Sequence, residues 1–422
     1  QAHRAKTRAV QRRAQSKKLS GEKSTKKTHT RMLRHALRRM SRALAPRAAV
    51  STLDASKLEV TRCATPTKPP ANEALIGRWG RVFSPHMLAV DWTASDGWSA
   101  PRIKPHEPLQ LSPAAMTLHY ALQCFEGMKA YRGDDGAIRL FRPDLNAQRM
   151  TSSLKRLAMP TFDELEFVEL LKRFVEVEQE WVPRGEGHSM YLRPTCVATD
   201  PFLGVGVPQE ATLYVIASPV GPYFPDGFKP ITVVADTLNV RAWPGGAGDT
   251  KIGGNYAPTI KPVLDASATT DGRAQQVLFL FGDDHRVTEV GSMNVFVVLR
   301  TASGEVELVT APLSGDILPG VTRRSILDLA RADPASVGVD VVSERAFTMP
   351  EVVAASRDGR LLEVFGAGTA AVVCPVREVV YEGASVDVPT GGDAGPVASE
   401  LWRRLSDAHY GRDASSDWAV AI

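Results

Sequence analysis

The sequence has 422 residues, 43% of them hydrophobic and 23% charged, enough to bury a large core in two or three domains of about 150 residues each. No run reaches the roughly 18 apolar residues of a membrane span. The four cysteines (Cys63, Cys124, Cys196 and Cys374) lack zinc-ligand or CxxC spacing, so the chain reads as a protein of a reducing compartment with no metal site. The net charge of +4 hides an asymmetry: residues 1–50 hold sixteen of the 51 Lys and Arg and one of the 47 acids, leaving 35 basic against 46 acidic residues and a net of −11 beyond, which argues against a body that binds nucleic acid.

In chain order, residues 1–31 are poor in aliphatics and rich in Lys, Arg, Ser and Thr, a composition expected to stay disordered. From Met32 the pattern changes: Leu33, Leu37, Met40 and Leu44 recur at helical spacing beside Arg34, Arg38, Arg39 and Arg42, and no acid falls between Glu22 and Asp54. An Arg-rich, acid-free amphipathic stretch is the pattern of an organellar transit peptide. A mitochondrial destination is expected first and a plastid second, with translation beginning at Met32 and residues 1–31 lying upstream of it. The basic stretch could instead be a solvated tail that binds nucleic acid or acidic lipid.

Residues 52–75 read as a lead-in. Strands are expected at 87–92, 127–132 and 137–141, the last two joined by the "GDDG" turn. Helical periodicity marks 146–157 and 162–182, with Phe167, Leu170, Leu171 and Phe174 on one face of the second. Residues 221–230, with three prolines and two glycines, read as an interdomain linker. Beyond it the chain is β-rich, with helices expected at 320–333 and 348–360 and strands around a glycine turn at 361–381.

Five motifs could carry chemistry. Lys251, in "GDTKIGGNYAP", could be approached closely by a planar ligand. A lysine held in a poorly solvated pocket becomes a usable amine nucleophile, although most lysines in such loops are solvated. Glu289, among apolar residues at a strand end, is either a satisfied structural acid or the partner of a buried cation. Pro319-Gly320 before a helix leaves free N–H groups that suit an anion, as any helix start does. The "FGAGTAA" turn at 365–371 could bring amides and a hydroxyl together, and Arg149 on a helix is either surface charge or ligand.

Taken in order, the segments "LHYALQCFEGMKAYRG", "RLFRPDLNAQRM", "YLRPT", "GPYFPDGF", "RAWPGGAGDTKIGGNYAP", "TEVGSMNVFV", "ILPGVTRRSILDLA" and "EVFGAGTAAVVCPV" cover about residues 76–415. This pattern resembles the branched-chain amino acid aminotransferases, which are pyridoxal-phosphate enzymes of fold type IV, and the eukaryotic branch most of all. The resemblance implies an α+β two-domain fold: a small N-terminal α/β domain at 70–220 after a basic tail at 1–60, the 221–230 linker, and a larger β-rich cofactor-binding domain at 231–415. It implies that Lys251 forms the Schiff base with pyridoxal phosphate, that Glu289 pairs with the pyridine nitrogen and that Tyr256 bonds the phenolic oxygen. Arg149, the amides of Val321 and Thr322, and Thr369 would hold the phosphate.

The substrate pocket implied by the resemblance comprises Trp79, Tyr120, Tyr191, Arg193, Tyr223, Ser292, Thr369 and Ala370, with Val205 from a second subunit and hence a homodimer. Aromatic walls suit a branched aliphatic side chain, and Arg193 or tyrosine hydroxyls would take the side-chain carboxylate of glutamate. The thiol pair of some vertebrate relatives is reduced here to Cys374, with Ala371 at the first position. The expected reaction moves the amino group of leucine, isoleucine or valine to 2-oxoglutarate. A D-amino acid transaminase or an aminodeoxychorismate lyase of the same fold is the alternative, and a non-catalytic binding protein the third reading.

Overall fold

The computed structural model describes residues 51–223, 227–413 and 416–422. The transit-peptide and disorder expectations for residues 1–50 lie outside the described residues.

The first sheet is built from β1 (Glu59–Val60), β2 (His86–Thr93), β3 (Gly97–Trp98), β4 (Arg102–Pro105), β5 (Gln123–Phe125), β6 (Met128–Arg132), β7 (Ile138–Phe141), β8 (Ser189–Ala198) and β9 (Glu210–Val220). A short helix, α1 (Met116–Tyr120), precedes β5; α2 (Pro143–Arg156) and α3 (Glu164–Val177) lie between β7 and β8. The expected "GDDG" turn joins β6 to β7, with Gly136 at φ +82° and Gly133 N–H donating to Ala137 O at 2.9 Å. The lead-in is part of this sheet: β1 pairs parallel with β4 at its edge.

α3 shows why its sequence folds as it does. Asp163 caps it, accepting from Leu165 N–H and Glu166 N–H. Phe167, Leu170, Leu171 and Phe174, the face read from the spacing, are fully buried with α2 against the sheet. The helix ends earlier than the pattern predicts, at Val177, followed by a 3₁₀ turn at Gln179–Trp181. At that junction the Glu178 side chain turns inward and accepts from His86 Nδ1 at 2.5 Å.

The second sheet contains β10 (Ile231–Asp236), β11 (Ala274–Phe281), β12 (Arg286–Val290), β13 (Met293–Arg300), β14 (Val306–Thr310), β15 (Val341–Glu344), β16 (Leu361–Gly368), β17 (Val372–Tyr381) and β18 (Ala384–Asp387). Its order, β12-β11-β10-β17-β16-β13-β14-β15, is closed by pairing of β12 with β13, so six strands form a ring. Inward apolar side chains such as Val233, Val295 and Val364 fill it. α4 (Ile260–Thr269), α5 (Val321–Ala332), α6 (Met349–Arg357) and α7 (Pro396–His409) pack around it. Of these, α5 and α6 match the expected helices.

Sequence reading missed the short elements β1, β3, β4, α1, β5, β15 and β18, the longer helices α4 and α7, and a last strand, β19 (Ala419–Ala421), which returns to the first sheet and pairs with β7. A shared apolar cluster joins Tyr131 and Phe141 of the first sheet to Phe296, Phe365 and Leu401 beside the second. Among the described residues, no helix is long and apolar enough to cross a membrane.

Candidate active site

A cavity of about 140 Å³ opens between the two sheets, bordered by Phe125, Arg149, Tyr191, Lys251, Tyr256, Ser292, Asn294, Val321, Thr322, Thr369 and Ala370. Lys251 reaches it from the loop before two 3₁₀ turns. Its backbone is fixed on both sides: its N–H donates to Ser153 Oγ at 2.9 Å, and its carbonyl accepts from Phe125 N–H at 3.0 Å. Its Nζ donates to Tyr256 Oη at 2.9 Å and lies 4.9 Å from the Phe125 ring centre. Among the described residues, no carboxylate pairs with this amine.

Glu289, on β12, is buried behind Asn294, whose Nδ2 donates to its Oε1 at 2.9 Å. Arg241 Nε approaches Oε2 to 2.6 Å as an ion contact outside hydrogen-bond alignment, so Oε2 and both terminal Arg241 nitrogens lack hydrogen-bond partners. Burial raises the Glu289 carboxyl above its usual range, and the Arg241 charge offsets only part of that.

On the opposite side Arg149, on α2, forms a two-pronged ion pair with Glu126: Nε to Oε1 at 2.7 Å and Nη2 to Oε2 at 2.8 Å. Asn146 Nδ2 and Gly127 N–H also donate to Oε2. Burial alone would raise the Glu126 carboxyl, but Arg149 outweighs it and holds the carboxyl below its usual range. Arg149 Nη1 donates to Pro319 O at 3.1 Å, which ties α2 to the start of α5. Gly320, at the N-cap of α5, supplies no side-chain cap, so the first-turn amides of Val321 and Thr322 keep their anion-binding capacity.

Thr369 and Ala370 form the turn between β16 and β17. Ala370 O accepts from the buried Lys129 Nζ at 2.8 Å. Val372, just beyond, is held at φ +64°, a conformation costly for a β-branched residue. Two glycines permit close approach. A Cβ on Gly127 would fall 1.9 Å from Tyr191 Oη, and one on Gly320 2.1 Å from Asn294 Oδ1.

Tyr191 lines the cavity and accepts from Arg193 Nη2 at 2.9 Å. Trp79 packs edge-on against Tyr191 and Tyr223, at 4.8 and 5.3 Å between ring centres. Ser292 sits exposed at the rim. Trp79, Arg193 and Tyr223 do not border the cavity itself: Trp79 and Arg193 touch Tyr191, and Tyr223 touches Trp79. The expected Tyr120 and Val205 are not brought there by this chain. Tyr120, at the end of α1, donates its hydroxyl to Leu203 O, and Val205 stands exposed on the following loop. Glu126, Lys129, Arg241 and Asn294 were not singled out from sequence. Their only signal was a polar residue embedded in the ordered motifs.

The amino-transferase class IV profile matches residues 123–379, which takes in Lys251, Glu289 and α5. A branched-chain-amino-acid aminotransferase of Monosiga brevicollis is 47% identical over 376 residues, covering 89% of this chain and 94% of its own. The chain belongs to the branched-chain-amino-acid aminotransferases of class IV. A mitochondrial family member of Saccharomyces cerevisiae is 45% identical and covers 92% of this chain and 98% of its own; a cytosolic one, also 45% identical, covers 88% and 98%. Among solved structures, a branched-chain amino acid aminotransferase from T.th., with pyridoxamine 5'-phosphate, is 26% identical, with a TM-score of 0.60 over 78% of this chain and 97% of that one.

Class membership implies pyridoxal phosphate, and the residues of this aminotransferase fit it. The cavity has an amine at one wall and an anion-binding helix start at the other. Behind Asn294 lies a buried carboxylate oxygen without a hydrogen-bond partner, as a protonated ring nitrogen requires.

Proposed function

We propose that this chain reversibly transfers the amino group of L-leucine, L-isoleucine or L-valine to 2-oxoglutarate, with pyridoxal phosphate attached at Lys251. The observation that carries the reading is one cavity bordered by an amine without a carboxylate partner, a bare helix start and Arg149, with Glu289 buried behind it. The related proteins described above are branched-chain aminotransferases, which favours this reading over a D-amino acid transaminase or a lyase.

When bound, the cofactor supplies a conjugated ring that accepts the electron pair released at the substrate Cα. The protein's own residues do the rest. Lys251 Nζ would take the proton from the substrate Cα and later return one. Tyr256 Oη, 2.9 Å from that nitrogen, orients it and donates to the cofactor's phenolic oxygen. Glu289 Oε2 would hold the proton on the ring nitrogen, with Arg241 and Asn294 keeping the carboxylate aimed. Arg149, the Val321 and Thr322 amides and the Thr369 hydroxyl bind the phosphate.

The substrate α-carboxylate meets the Thr369–Ala370 turn. Trp79, Tyr191 and Tyr223 wall the side-chain pocket with Ser292 at its rim, and Arg193 receives the distal carboxylate of glutamate. Tyr120 and Val205 complete that wall from the second copy of a homodimer, which accounts for their place away from this chain's own cavity. A mitochondrial matrix location, directed by the basic N-terminal segment, is proposed, with a plastid as the alternative and the cytosol if the presequence is not used; imaging a fluorescent fusion decides among them.

Borohydride reduction of the purified protein followed by peptide mapping tests the assignment. A pyridoxyl label on Lys251 is expected. A label elsewhere, or equal turnover of D- and L-leucine, sinks the reading.

A further inference from the structure

The chain's last residues pack on the seam between the sheets, far in sequence from every cavity residue. β19 lies antiparallel to β7, with Ala419 opposite Phe141 and Ala421 opposite Arg139. Just ahead of it, Trp418 O accepts from the Arg142 backbone N–H at 2.7 Å, and the Arg142 guanidinium carbon sits 4.4 Å from the centre of the Trp418 ring. Arg142 immediately precedes α2 and is held at φ +44°, a conformation that non-glycine residues seldom adopt. Its Nη1 donates to two side chains of α5, Ser325 Oγ at 3.0 Å and Asp328 Oδ2 at 2.9 Å. Ser325 Oγ in turn donates to Val321 O at 2.9 Å.

A line of contacts therefore runs from Trp418 through Arg142 and Ser325 to Val321, the first residue of α5. The same arginine sets the start of α2, which carries Arg149. α2 and α5 thus bring the phosphate-binding groups together at the cavity between the sheets, Arg149 from one helix and the Val321 and Thr322 amides from the other.

We propose that Trp418 and Arg142 form a clasp that positions the phosphate-binding groups of α2 and α5 against each other. An arginine side chain is long and has many rotamers; an indole under its face and two acceptors at its edge leave it one. With the ring removed, the guanidinium is free to leave Ser325, and the first turn of α5 loses its register with Arg149. Trp418 and Arg142 do not border the cavity, so they are positioning residues. The inference rests on the phosphate assignment made above.

The test compares two aldehydes that meet the same lysine, of which only one carries a phosphate. Apoprotein of the parent, Trp418→Ala, Trp418→Phe and Ser325→Ala is titrated by absorbance with pyridoxal phosphate and, separately, with pyridoxal. Trp418→Ala and Ser325→Ala are expected to raise the dissociation constant for pyridoxal phosphate about tenfold, the scale of one misplaced charge-assisted contact, and to leave that for pyridoxal unchanged. Trp418→Phe, which keeps an aromatic face, is expected to stay within about twofold of the parent. Equal weakening of both aldehydes means general loosening of the fold, and weakening of neither means no coupling; either result overturns the clasp. Ser325→Ala leaves β19 intact, so the question stands even if Trp418→Ala fails to fold. A parent protein that gives no chromophore with either aldehyde overturns the cofactor reading itself, a separate result from an unchanged preference between the two.

Discussion

Glu289 sits where burial disfavours a charge: its carboxyl is raised by desolvation, and the Arg241 charge beside it offsets that only in part. A ring nitrogen bearing a proton would supply the missing partner for Oε2. Replacing the acid by its neutral isostere keeps the shape and the Asn294 contact but removes the charge that holds this proton. Glu289→Gln is therefore expected to lower kcat about 100- to 1000-fold, the range seen when one aimed electrostatic contact is lost, while the visible absorbance of the lysine-bound cofactor persists. Near-parent turnover in a steady-state assay with L-leucine would remove Glu289 from the mechanism. Lys251 and Glu289 were legible because they sit in ordered motifs whose wording carries information. Arg241 and Glu126 were not, although they lie within the same motifs. Each is defined by an ion pair closed across the fold, Arg241 to Glu289 and Glu126 to Arg149, and no spacing rule encodes such a pair.

Elements whose signal is local were read well, and those whose signal is long-range were not. α3 follows from one buried apolar face and one acidic cap. α4 buries only Pro262 and Ala266, too little for a periodic stripe, and β19 exists because β7 offers an edge. The junction after α3 contains a pair that periodicity could not anticipate. His86 Nε2 accepts from Cys63 N–H at 2.8 Å, so Nδ1 carries the ring proton and donates to Glu178. Burial pushes the Glu178 carboxyl up to about 7 and lowers the His86 imidazole. A carboxyl whose folded pKa lies above its unfolded value contributes stability that is complete below the unfolded value, near 4.5, and is lost as pH rises through about 7. Glu178→Gln keeps the acceptor for His86 and removes the titration. Its melting temperature is expected to match the parent's at pH 5 and to exceed it increasingly up to pH 8. A difference that stays flat across that range would show that Glu178 does not titrate in the fold.

At the scale of the molecule, the catalytic reading asks more of the chain than one copy supplies. Lys251, Glu289, Arg149 and α5 converge within a single chain, but Tyr120 and Val205 do not border its cavity. They lie instead in an exposed apolar surface with Leu118, Phe202, Leu203 and Val207. That surface is a built unit: Ala115 bridges to Pro201, Met116 N–H donates to Asp200 O, and the Tyr120 hydroxyl donates to Leu203 O. A cluster of exposed apolar side chains of this kind suits the interface of the proposed homodimer. If it seats a second copy, a charge placed at its centre should separate the copies and empty each substrate pocket of the neighbour's contribution. It should leave cofactor attachment untouched, since every group assigned to that task is internal. Leu203→Asp is thus expected to move the mass measured by light scattering from two chains to one chain of 45.7 kDa. The same variant should keep the cofactor absorbance and lose most activity toward L-leucine through a raised KM. A single chain with parent KM would mean that the pocket is complete without Tyr120 and Val205 of a neighbour, and an unchanged mass would place the interface on another face.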